Sequence, residues 1–112
     1  MKVRKGSYVI ATSDGKQSYE GSYIKHYPFL IHREEDKTGT HQWTISHMAT
    51  GYSIRKNITL KRGKDMSRRL KGFAVFHVPT VETFTQQLQL FRERKPDQHR
   101  SMMKVIDPDN GE

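Results

Sequence analysis

The chain has 112 residues, a formal net charge of +8, 33% hydrophobic residues and no cysteine. That length suits one domain with a single core and leaves no room for a second. The missing thiols exclude disulfides, thiolate nucleophiles and cysteine metal sites, and no run of about 18 apolar residues is present to span a bilayer.

The first fifteen residues carry charge but lack the apolar stretch of a signal peptide, so an intracellular, cytoplasmic protein is expected, neither secreted nor membrane-bound. Residues 8–12 are rich in β-formers and stop at Ser13-Asp14-Gly15, a turn signal, after which residues 18–24 return as a partner strand. Residues 27–32 read as a third strand, with Phe29 and Ile31 on one face and Leu30 and His32 on the other, before a charged link over 33–39. Alternation is clearest over 43–47, where Trp43, Ile45 and His47 share a core face and Thr44 and Ser46 a wet one. Ala49-Thr50-Gly51 then reverses the chain into residues 52–55, and Ile58 and Leu60 continue apolar positions at two-residue spacing.

Residues 62–70 hold a glycine and no continuous pattern, which predicts a loop with at most a short helical turn. Over 73–78 both alternating sets are largely apolar, as in a central strand covered on both faces. Thr80 is the expected N-cap of a helix that Pro96 stops, with Glu82 near its positive end and Arg92, Arg94 and Lys95 at its negative end. Its apolar stripe, Val81, Phe84, Leu88 and Phe91, is expected to lie on the sheet. Residues 102–106 form a short apolar piece, an edge strand or a docking segment for a second copy, and 107–112 a flexible acidic tail.

These elements predict an α+β fold: an antiparallel sheet of about five strands with one C-terminal helix packed on one face and the other face open. Residues 1–96 make the domain and 97–112 a C-terminal extension. In element order the chain resembles the strand-rich, C-terminal-helix modules of the whirly proteins and a related transcriptional coactivator. That resemblance implies single-strand binding as a homodimer, although no sequence motif of theirs is present.

The charge is local. Between 55 and 71 stand eight basic residues, Arg55, Lys56, Lys61, Arg62, Lys64, Arg68, Arg69 and Lys71, against one acid, Asp65, so seventeen positions carry +7 of the net +8. Like charges this dense repel one another and favour an anionic partner, most simply a phosphate backbone. Tyr52, close to Arg55 and Lys56, and Tyr27 are the candidate rings for base stacking. The first expectation is therefore a sequence-tolerant nucleic-acid-binding protein, DNA before RNA and single strands before double, of a size suited to a phage or mobile-element accessory protein. The alternative is an inhibitor or interaction module that docks the cationic loop on an acidic surface of a host protein.

Six histidines are scattered without the spacing of a metal site, and no glycine-flanked serine or phosphate loop is present. No catalytic residue, metal or cofactor is assigned. The one local cluster, His32 with Glu34, Glu35 and Asp36, reads as a charged hairpin tip, and a metal-dependent nuclease using it ranks third.

Overall fold

The computed structural model describes residues 2–12 and 14–108. Five strands, β1 (Arg4–Thr12), β2 (Gly15–His26), β3 (Phe29–Glu34), β4 (Trp43–His47) and β5 (Ser53–Ile58), form one antiparallel sheet in which each strand pairs with the next. Three helices follow, α1 (Leu60–Leu70), α2 (Val81–Arg94) and α3 (Pro96–Ile106), with a 3-10 turn over Ala74–Phe76 between the first two. This is a small α+β domain.

Register places the apolar residues in rows. Ile24 faces Ile31 and Ile31 faces Ile45, so one side of the three middle strands is a continuous aliphatic surface. α1 covers it, packing on β3 and β4. Contact is close because Gly63 lacks a side chain: a β-carbon there would lie 3.0 Å from Ile31 Cγ2. α3 packs on α1 and α2, and its Met102 and Val105 join the same core as Phe29, Ile45, Phe76 and Phe84.

The opposite side is concave and aromatic. Tyr8 pairs with Tyr19 across β1 and β2, Tyr23 with His32 across β2 and β3, and the Tyr8 ring lies 5.8 Å from Tyr19 and 5.1 Å from His32. The sheet curls toward this side until Ala11, near the end of β1, meets Gly51 in the turn between β4 and β5. β1 and β5 are not hydrogen-bonded neighbours, so the curl stops short of a barrel.

The antiparallel sheet agrees with the sequence expectation, but three helices stand where one was expected. The helix on the sheet is α1, in the segment read as a loop over 62–70, and it begins at Leu60, which had been assigned to a strand. Residues 73–78 are no central strand: a 3-10 turn buries the adjacent Val75 and Phe76, and β3 holds the middle of the sheet. α2 matches the expected helix, with Thr80 as its cap, yet it packs chiefly on the 3-10 turn and α3, and Val81 is 56% exposed. Residues 102–106 are not an edge strand but the second half of α3, with Met102 and Val105 buried. Of the expected acidic tail, Asp107 pairs with Arg55 at 3.4 Å, and residues 109–112 lie outside the described residues. Among the described residues no helix is long and apolar enough to cross a membrane.

Candidate functional site

Thr59 starts α1: its hydroxyl oxygen accepts the Arg62 amide at 3.1 Å, satisfying one of the donors that a helix start leaves over. Gly63, Met66, Ser67 and Leu70 then face the sheet, which forces the positions between them outward. Lys61, Lys64 and Arg68 fall at three- and four-residue spacing on that outer face, and Lys71, in αR backbone as the C-cap, continues the row. Together the four span an arc of about 80° and a rise of about 15 Å. None of them takes part in an ion pair among the described residues.

The other four cations of the segment do other work. Arg55 pairs with Asp107, and Arg62 donates to the Ile106 carbonyl at 3.4 Å, so both meet the C-terminal, negative end of α3. Arg69 pairs with Asp65 one turn back at 3.6 Å. Lys56 is exposed near the end of β5 and lines the concave side of the sheet, away from α1. The expected patch of eight is therefore a row of four on one helix face, flanked by three arginines engaged within the fold.

A second group closes the C-terminal end of that row. Tyr27, 63% exposed, sits in the turn between β2 and β3 with its ring 5.8 Å from His77, and His77 Nε2 donates to the Lys71 carbonyl at 2.8 Å. His26 lies beneath, its Nδ1 2.8 Å from Ser67 Oγ, and its pKa is lowered by burial first and then by Lys71 and Arg68. This contact resembles a nucleophile with its base, but the Ser67 hydroxyl donates to the Lys64 carbonyl at 2.9 Å. That carbonyl competes with the imidazole for the hydroxyl proton, and the His26–Ser67 contact ties β2 to α1. Tyr27, one of the two candidate stacking rings, thus lies near the Lys71 end of the basic row. Tyr52 does not: it is 56% exposed with its ring 6.2 Å from Phe84, on the concave side with Lys56.

That concave side forms a cleft of about 650 Å³, bounded by Tyr8, His32, Thr44 and Lys56 from the sheet, Tyr52 from the β4–β5 turn, and Phe84 and Leu88 from α2. His32 Nε2 is 2.8 Å from Ser46 Oγ, and its imidazole is pushed down to about 4 by burial first, then by Lys37 and Lys56. Tyr8 is 2% exposed and its hydroxyl has no hydrogen-bond partner among the described residues. Burial, with Glu34 the next cause, pushes that phenol up to about 12.

Sequence reasoning singled out none of His26, Lys37 and His77 as a site residue. Nothing in the local sequence marks them, because His26 reaches its site through strand pairing, Lys37 through the β3–β4 loop and His77 through a turn mistaken for a strand. His32, Glu34, Glu35 and Asp36 do not converge: among the described residues no three histidine, aspartate or glutamate side chains gather as a metal ion would need. No protein-family model, no curated protein and no solved structure matches this chain.

Proposed function

We propose that the chain is a nucleic-acid-binding protein that grips phosphates through the outer face of α1, without reading sequence. The observation that carries this is the row Lys61, Lys64, Arg68 and Lys71, four cations aligned along one rigid helix and unneutralised by any carboxylate among the described residues. A solvated surface usually intersperses both signs. Here the one acid on the exposed side of the helix, Asp65, is held by Arg69 at the flank.

Shape favours a duplex over a single strand. The basic row stands on a convex rod, the form that a major groove about 12 Å wide admits or that lies along two phosphate ridges. A single strand is better served by a groove with several exposed rings. Among the described residues only Tyr27 offers one beside this row, since Tyr8 is buried and Tyr52 is on the other side of the sheet. Duplex DNA or structured RNA is thus favoured over the single strands that the resemblance implied.

The test is fluorescence anisotropy with labelled duplex DNA, single-stranded DNA and an RNA hairpin over 50 to 300 mM salt. Four engaged phosphates give a log–log salt slope of about −3.5 on duplex DNA. Lys64→Ala/Arg68→Ala removes about half of that slope. Absence of binding to all three nucleic acids sinks the proposal and returns the row to its alternative use, an acidic protein surface.

A further inference from the structure

The cleft on the concave side plays no part in phosphate-backbone binding by α1, and it is built like a small-molecule site. Its volume of about 650 Å³ lies inside the range of roughly 300 to 1,000 Å³ typical of ligand pockets. Its walls come from distant parts of the chain, brought together by the curl of the sheet and by α2.

We propose that this cleft binds a planar aromatic anion of nucleoside-monophosphate size, with its ring on the exposed Tyr52, over the wall that Tyr8 and Phe84 line, and the anionic group toward Lys37 and Lys56.

Three observations converge. Aromatic and aliphatic side chains supply flat apolar walls, and a π-face recognises another planar ring whatever its substituents. The charged lining residues are Lys37, Lys56 and Glu34, so the cleft is net positive, and neither lysine is in an ion pair among the described residues. Both lysines line the same cleft as His32, and both lower its imidazole pKa, in keeping with a positive potential there. The Tyr8 hydroxyl is the third: it is buried without a hydrogen-bond partner among the described residues, and Tyr8 lines the cleft. A heteroaromatic ring carries the acceptors that would relieve it. An apolar ligand would leave two lysines and a phenol unused; a bare anion would leave the aromatic walls unused.

Titration of the isotope-labelled full chain, followed by amide resonances and by calorimetry, tests this with adenosine and uridine monophosphates, their parent nucleosides, 4-hydroxybenzoate and inorganic phosphate. A monophosphate is expected to shift amides of Tyr8, Thr44, Tyr52 and Phe84 and to bind at least tenfold more tightly than its nucleoside. Lys56→Ala, at an exposed position that leaves the fold intact, weakens it about tenfold, whereas Lys64→Ala/Arg68→Ala on α1 leaves it unchanged. Tighter binding of 4-hydroxybenzoate than of either monophosphate at the same amides overturns the nucleotide-size assignment. Inorganic phosphate binding as well as the monophosphate overturns it, as do shifts confined to α1 or silence of the cleft amides toward every probe at millimolar concentration.

Discussion

Gly51 and Ala11 meet where the curled sheet nearly closes on itself: a β-carbon on Gly51 would lie 1.6 Å from the Ala11 carbonyl oxygen, and Gly51 has φ +75°. Alanine there would force the two backbones apart and also occupy the left-handed region. Gly51→Ala is expected to cost about 3 kcal/mol in urea unfolding. Gly39→Ala is the control, since φ is +105° but the nearest atom, Gln42 Cγ, would be 3.8 Å away, and about 1 kcal/mol is expected. Equal losses at the two sites would mean that the closure is soft.

Acid should destabilise the fold before its carboxylates titrate. Burial, then Lys37 and Lys56, holds the His32 imidazole at about 4, below its ordinary 6.5, and burial lowers His47 as well. Between these values the unfolded chain binds a proton that the folded chain does not, so stability falls as pH drops through 6.5 and levels off for His32 below about 4. A loss of about 2 kcal/mol from this one group is expected between pH 7 and 4.5. Urea midpoints across that window should fall less steeply in His32→Asn.

The cations of residues 55–71 should separate by experiment into two kinds. Arg55→Ala strands Asp107 at the end of α3, costing up to about 1 kcal/mol while leaving the salt slope of nucleic-acid binding unchanged. Lys61→Ala should do the reverse, with stability within about 0.5 kcal/mol of wild type and a slope shallower by about 0.9. Paired chemical denaturation and anisotropy measurements decide it, and the opposite assignment would break the division drawn above.

Two helix starts rest on threonine hydroxyls. Thr59 accepts the Arg62 amide and Thr80 the Thr83 amide, both at 3.1 Å. Replacing either with alanine is expected to cost about 1 kcal/mol, and serine should restore most of it. Circular dichroism during denaturation measures both, and only the Thr59 change should also weaken nucleic-acid binding, through fraying of the first turn of α1.

The strands were legible because half-buried sheets write themselves in period two, as Trp43, Ile45 and His47 do, although Ser46, expected on the wet face, is buried too, beside His32. α1 was not, because its buried face is Gly63, Met66, Ser67 and Leu70, two of them without apolar bulk. Ser67 is satisfied there by His26 and the Lys64 carbonyl, partners that no local pattern announces. Residues 73–78 misled for the opposite reason. They are apolar in both parities because α2 and the turn itself bury Val75 and Phe76, and an alternation count cannot tell a wrapped turn from a central strand. Charge was visible in the sequence, but its division was not, since Asp107 reaches Arg55 only after α3 has packed. The cleft left no trace at all, because the residues that wall it run from Tyr8 to Leu88.

The strands are each laid against their predecessor and need nothing from the last helix to find one another, whereas the oily interior does, since Met102 and Val105 are two of its plugs. A protease that nicked the chain at the α2–α3 junction would therefore leave the ladder of strands intact and uncork what lies beneath it. The product would be a sticky half-shell that takes up hydrophobic dyes, not a smaller stable protein.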